Sequence, residues 1–77
     1  NPGKAEDIRI VVNPEENGPV SLSLSNLSGT EVYREEVTGT ENQVVAFTLA
    51  GTRLSPGLYI AVIRSVGKQV IKKIIVH

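Results

Sequence analysis

The chain alternates apolar and polar residues over short stretches, and turn-forming residues separate these stretches from one another. The clearest alternation covers residues 20–25, where Val, Leu and Leu take every second position with serines between them. Successive side chains of a strand point to opposite faces, so this pattern predicts a strand with one buried and one solvated face. The same criterion predicts strands at residues 7–12, 20–25, 30–38, 44–49, 58–66 and 69–76.

No segment carries a helical stripe of apolar residues, and the strands recur at a spacing of roughly 8–12 residues. Six strands, or seven if one splits, predict an all-β fold, a small antiparallel β-sandwich spanning residues 7–77. Polar residues 1–6 are interpreted as a linker, and Gly67-Lys68 as a hairpin turn. Leu54 is predicted to fill the core at the corner formed by residues 50–57. The predicted core residues are Val20, Leu22, Leu24, Val45, Phe47, Leu49, Tyr59, Ala61 and Ile63.

Composition narrows the class of function. The 77 residues carry eight acidic and eight basic side chains, and a net charge near zero argues against nucleic acid as a partner. There is no cysteine and only one histidine, so neither a disulfide nor a structural zinc site is expected. No apolar run approaches the roughly 20 residues that a membrane-spanning helix needs.

The sequence offers no arrangement of residues suited to catalysis. Nucleophilic catalysis needs a base held beside the nucleophile, and the only histidine, His77, is the last residue. The adjacent pair Glu35-Glu36 points to opposite faces of a strand and does not form one site. Glu15, Glu16 and Asn17 are too few ligands for a calcium loop. We therefore expect no enzymatic activity, no metal and no cofactor.

The last strand is apolar on both of its faces. One face carries Val70, Lys72, Ile74 and Val76, and the other carries Ile71, Lys73 and Ile75. A thin sandwich buries only one face of a strand, so the other face, whichever it is, should display aliphatic side chains and a lysine to water. Two interpretations stand side by side. A lysine on an edge strand blocks unwanted pairing, or the exposed face is a docking strip that a partner binds.

Five short motifs occur in a fixed order along the chain. They are Asn13-Pro14, the alternating strand from Val20 to Leu24, the set Asn26, Gly29 and Val32, the set Leu54, Gly57 and Tyr59, and the ending Lys73-Ile74-Ile75-Val76. Over residues 8–77 this order resembles the C-terminal sorting domain, type A, of type IX secretion cargo proteins of Bacteroidetes, as found behind gingipain proteases. One departure is Val12, which stands where the family commonly has the first proline of Pro-Asn-Pro.

The resemblance implies an Ig-like sandwich that is fused behind a cargo protein and acts as an address. The cargo would cross the inner membrane by a signal outside this chain and pass through the periplasm. An outer-membrane translocon and a shuttle protein would then deliver it to the cell surface or the medium. A sortase-like protease would usually cut near or before residues 1–6. The implied recognition residues are Gly57, Tyr59, Lys73, Ile74, Ile75, Val76 and His77; the turn motifs are Asn13, Pro14, Asn26, Gly29 and Leu54.

Simpler readings of the same residues stay open at this point. Gly57 also reads as a turn residue, Tyr59 as a core aromatic, and Asn26-Leu27-Ser28 as a plain turn rather than a glycosylation sequon. A spacer or adhesion module of a surface protein would have the same fold without a sorting role. A carbohydrate-binding domain would need exposed aromatics, for which only Tyr33 qualifies. The sequence also leaves open a strand-exchange dimer and an uncleaved component of the secretion machinery.

Overall fold

The computed structural model describes residues 8–49 and 52–77, and within them the chain is all-β. Two antiparallel sheets form a small sandwich-like domain, which confirms the predicted fold class. The predicted linker at residues 1–6 lies outside the described residues, as do residues 50 and 51 of the predicted corner. The strands are β1 (Arg9–Val12), β2 (Gly18–Asn26), β3 (Glu31–Gly39), β4 (Val45–Thr48), β5 (Gly57–Ser65) and β6 (Lys68–Val76).

The two sheets differ in width. The larger sheet has four strands in the order β3-β2-β5-β6, and the smaller sheet pairs β1 with β4. β2 and β5 occupy the centre of the large sheet, so their alternate apolar residues face the small sheet. β3 and β6 are its two edges. The last strand of the chain is therefore paired, among the described residues, with β5 alone.

The core lies between the sheets and consists of the residues that the alternation pattern predicts. Phe47 and Leu49 of the small sheet meet Leu22, Leu24 and Ala61 in one buried aliphatic cluster. Eight of the nine predicted core residues are buried, and the ninth, Val45, is half-buried against them. Leu54 is also half-buried and packs on this cluster from the corner before β5. A core this small leaves each large side chain with a large share of the stabilising burial.

Two boundaries differ from the sequence prediction. The hairpin turn is Val66-Gly67 rather than Gly67-Lys68, because Lys68 already pairs with Ser65 in the β5–β6 ladder. β2 begins at Gly18, inside the loop predicted over residues 13–19, and includes Pro19. A proline is tolerated there because pairing of β2 with β5 starts only at Ser21, so this end of the strand has one neighbour.

The polar turn residues bond to nearby backbone. The Asn26 side-chain oxygen Oδ1 accepts hydrogen bonds from the N–H groups of Ser28 and Thr30, both at 3.0 Å. Such a side chain shapes the β2–β3 turn by replacing a backbone acceptor. The buried Pro14 offers its carbonyl to the N–H of Asn42 at 2.9 Å. The first two bonds hold the β2–β3 turn, and the third joins the loop before β2 to the loop after β3.

Candidate functional site

β6 presents two different faces because it lies at the edge of the large sheet. Its core-directed face carries Ile74 and Val76, which are both buried in the hydrophobic cluster. These two side chains attach the strand to the sandwich. They are therefore not available on the surface of the folded domain.

The opposite face of β6 is exposed, which settles a choice between its two faces that the alternation alone leaves open. Ile71 retains 61% and Ile75 retains 46% of its accessible surface, and Lys73 between them is exposed as well. Full burial of an exposed aliphatic side chain contributes roughly 1.5–3 kcal/mol, and each of these half-exposed isoleucines forgoes about half of that. A surface with this composition suits contact with another molecule.

The neighbouring strand extends this exposed face. The β5–β6 register sets Leu58 opposite Ile75, Ile60 opposite Lys73 and Val62 opposite Ile71. The three β5 side chains are half-buried. We call this set the outer strip: Leu58, Ile60, Val62, Ile71, Lys73 and Ile75.

Polar residues border the outer strip on two sides. On the β2 side, Ser23 pairs with Val62 and Ser25 pairs with Ile60, so the apolar area ends at a row of serines. Towards the hairpin turn, the Arg64 side chain donates from Nε to Oε1 of Gln69 at 2.9 Å. The outer strip is thus an apolar patch that polar residues limit on these two sides, with a single cation, Lys73, within it.

The outer-strip residues on β5 were not among the predicted recognition residues. Their signal is nevertheless in the sequence, since residues 58–63 are apolar without interruption. A strand of a thin sandwich that is apolar at odd and even positions alike must place one set on the outside. The same comparison of the two faces that singles out β6 therefore also predicts Leu58, Ile60 and Val62 of β5.

Gly57 and Tyr59 lie at the start of β5 and have structural surroundings. The Tyr59 ring is buried, and its hydroxyl donates to the carbonyl of Ser55 at 2.6 Å. Gly57 is exposed with φ of +155°, a conformation that L side chains rarely adopt, and an added Cβ would meet nothing within 4 Å. The backbone conformation, rather than close packing, therefore favours glycine at position 57. His77 follows β6 and is exposed.

The contribution of the Tyr59 hydroxyl to the stability of the domain can be tested directly. We expect Tyr59→Phe to lower the free energy of unfolding by about 0.5–1.5 kcal/mol, since the ring stays buried and one hydrogen bond is lost. Urea denaturation of the purified domain measures this change. Tyr33→Phe is the matched control, because the Tyr33 hydroxyl bonds to a carboxylate at a half-buried position. Reduced delivery of a fused cargo by Tyr59→Phe at unchanged stability would instead show that a partner reads the hydroxyl.

The polar groups of β3 form surface contacts. The Ser23 hydroxyl donates to Oε1 of Glu31 at 2.6 Å and, with the weaker contact from Arg34, lowers the pKa of Glu31. The Tyr33 hydroxyl donates to Oε1 of Glu35 at 2.7 Å, and this bond to a carboxylate raises the pKa of Tyr33. Ser23, Glu31 and Arg34 lie on the outer face and Glu35 on the opposite one. Within residues 8–49 and 52–77 no group of three or more acidic, histidine or cysteine side chains could hold a metal ion.

Sandwich and outer strip together define a small all-β domain with an exposed apolar surface on its last two strands. The profile of a family described as "Secretion system C-terminal sorting domain" matches residues 1–77. The chain belongs to this family, the sorting domains of type IX secretion in Bacteroidetes, which confirms the resemblance seen in the sequence motifs. No curated protein matches the chain.

Membership of the family sets the general function. The chain is a C-terminal type IX sorting signal, and such signals interact with the type IX secretion machinery. They lead to export across the outer membrane, to the cell surface or the medium, and their family is not an enzyme family. In the part of the chain that the structure describes, no helix is long and apolar enough to span a bilayer.

Proposed function

We propose that this domain is an address without catalytic activity, which directs a fused cargo protein through the outer membrane by means of the outer strip. The observation that carries the proposal is the exposure of Ile71 and Ile75 on a paired, well-formed edge strand. A folding requirement does not explain these side chains, because the core contacts of β6 come from Ile74 and Val76. Binding of a partner does explain them.

The geometry divides the candidate recognition residues into two groups. Lys73, Ile75 and the exposed His77 lie where a partner can reach them, and Ile71 joins them. Ile74, Val76 and the Tyr59 ring support the strand from beneath. Gly57 pairs with Val76 at the end of the hairpin, so it borders the outer strip at the Ile75 end. In this proposal, structural and recognition positions alternate along the terminal motif. Ile74 and Val76 are structural, and Lys73 and Ile75 contact the partner.

The partners in this proposal are the shuttle protein and the outer-membrane translocon, which meet the folded domain in the periplasm. A flat apolar patch with one lysine favours a partner surface that is apolar at its centre and has a carboxylate opposite Lys73. Cleavage by a sortase-like protease would fall before β1, near or ahead of residues 1–6, and would release the cargo from the domain. A spacer or adhesion module is the alternative function.

A passenger fusion tests the proposal in a bacterium that has a type IX system. The passenger carries at its C-terminus either residues 1–77 or a version without residues 68–77, and its location and mass are measured. We expect the complete domain to bring the passenger to the surface or medium, with a mass reduced by removal of the domain. The truncated version should stay in the periplasm at full mass.

A third fusion separates the sorting signal from a spacer. It places a second folded domain after His77, so that the sandwich lies in the interior of the protein. A spacer works at any position, whereas a terminal address should fail there. Equal delivery of all three fusions would contradict the proposed function.

A further inference from the structure

A groove runs between β1 and β6 on the side of β6 that faces away from the outer strip. It consists of two adjoining hollows of about 140 and about 430 Å³, which share Ile10, Val11 and Lys72. The smaller hollow extends towards Val70 at the hairpin end, and the larger one towards Ile74. The groove therefore follows the whole length of β1.

The groove exists because the small sheet is narrower than the large one. The small sheet has two strands, and β1 pairs only with β4 among the described residues. Val70 and Lys72 belong to the core-directed face of β6, yet Val70 is only half-buried and Lys72 is exposed. A third strand beside β1 would cover both residues.

The backbone of β1 is prepared for such a strand. The N–H of Leu49 donates to the carbonyl of Ile8 at 3.1 Å, which sets the phase of the β1–β4 pairing. Hydrogen-bonded pairs alternate along an antiparallel ladder, so Ile8, Ile10 and Val12 bond towards β4. The backbone groups of Arg9 and Val11 consequently point to the free edge, which borders the groove.

Among the residues that the structure describes, the charged side chains lining the groove are all basic. Arg9 and Lys72 line the larger hollow, which Lys73 of the outer strip borders from the other face of β6, and Lys68 lines the smaller one. Neither lining includes an acidic residue from residues 8–49 or 52–77. Among the described residues Lys68 has an exposed partner in Glu15 at 3.6 Å, whereas the other three cations have no ion pair. An occupant that carries carboxylates would complement this charge.

We propose that the groove binds an extended segment of a partner protein, rich in acidic and aliphatic residues, as a third strand beside β1. Alternate side chains of a strand point to opposite faces. Aliphatic side chains on the inner face of the added strand would contact Ile10 and Val70, and carboxylates on its outer face would approach Arg9, with the exposed side chain of Lys72 adding to the positive charge nearby. Strand addition of this kind takes affinity from backbone pairing and specificity from alternate side chains. The inference goes beyond the proposed function, because this surface lies on the other face of the large sheet from the outer strip.

The test measures binding of a labelled peptide to the purified 77-residue domain by fluorescence anisotropy. The probe has about six residues, alternating glutamate and valine, which is a usual strand length. We expect the probe to bind, and the double change Arg9→Glu with Lys72→Glu to weaken binding about tenfold or more. The same variant should gain affinity for a lysine–valine peptide. Arg53→Glu, an exposed cation outside the groove, is the matched control and should have no effect.

A second variant tests strand pairing separately from charge. Val11→Pro removes an N–H that points to the free edge of β1 and leaves the hydrogen bonds to β4 in place. The sheet should therefore tolerate a proline at this edge position. We expect it to abolish binding of the glutamate–valine probe while circular dichroism and melting stay near those of the parent. Unchanged binding by this variant or by the charge-reversal variant would overturn the proposal. The proposal would also be overturned if the parent domain sedimented as a dimer and the Val11→Pro variant as a monomer. The groove would then bind a second copy of this chain.

Discussion

We expect that replacing Ile71 and Ile75 together by serine abolishes surface delivery of a fused passenger while the domain stays folded. Both side chains lie on the outer face of β6, where 61% of Ile71 and 46% of Ile75 is accessible. Exposed substitutions of this kind usually change the free energy of unfolding by about 0.5 kcal/mol or less. A docking partner, by contrast, would lose for each isoleucine about half of the roughly 1.5–3 kcal/mol that full burial contributes, because about half of each side chain is still accessible in the folded domain.

The measurement compares the passenger in the periplasm, on the surface and in the medium, with urea denaturation of the purified domain beside it. Leu27→Ser with Val44→Ser is the matched control, since both are exposed aliphatic residues that lie outside the outer strip. The control should be delivered normally. Normal delivery of the Ile71/Ile75 variant, at unchanged stability, would remove the outer strip from the proposed function.

Phe47→Ala should unfold the domain, or bring it close to unfolding. Phe47 is 1% exposed and extends from β4 into the cluster between the sheets. Truncation of a buried phenylalanine costs about 3–5 kcal/mol. At about 0.05–0.15 kcal/mol per residue, the free energy of unfolding of a domain of this size is roughly 4–12 kcal/mol. The change therefore takes a large part of the stability.

Urea denaturation and the amplitude of circular dichroism measure this loss. Val44→Ala is the control, because Val44 is an exposed neighbour of β4 and its truncation should change stability by about 0.5 kcal/mol or less. A loss below about 1 kcal/mol for Phe47→Ala would mean that the sheets are held together elsewhere. Delivery should also fail for Phe47→Ala, and the unfolded state distinguishes this failure from that of the Ile71/Ile75 variant.

The strands and the core could be read from the sequence because both depend on a local pattern. Alternation at residues 20–25 identifies the buried face of β2, and the same pattern places Phe47 and Leu49 inside. The two faces of β6 follow from the same period of two. Local patterns also produced the boundary errors: Pro19 resembles a loop residue, and Gly67-Lys68 resembles a turn, until the pairing partners are known.

Strand order could not be read in this way, because it depends on contacts between distant parts of the chain. Nothing near Arg9 or Val11 indicates that β1 pairs, among the described residues, only with β4 and has a free edge there. The groove beside β1 depends on that pairing and on the lysines of β6, some sixty residues later. The sequence motifs identified the family, whereas the division of Ile74 and Ile75 into buried and exposed positions required the register of β5 with β6.

The β5–β6 hairpin has a consequence for how a binding surface of this type can be transferred. All six outer-strip residues lie in one uninterrupted segment between Gly57 and Val76, which the turn Val66-Gly67 folds back on itself. Exchanging this segment between two related sandwiches would carry the complete apolar patch, together with the core residues beneath it, in one recombination event. The groove, in contrast, needs β1 from the other end of the chain. Changes in β1 can therefore alter the groove without changing the outer strip, whereas exchange of the hairpin alters both surfaces, because Val70 and Lys72 of β6 also line the groove.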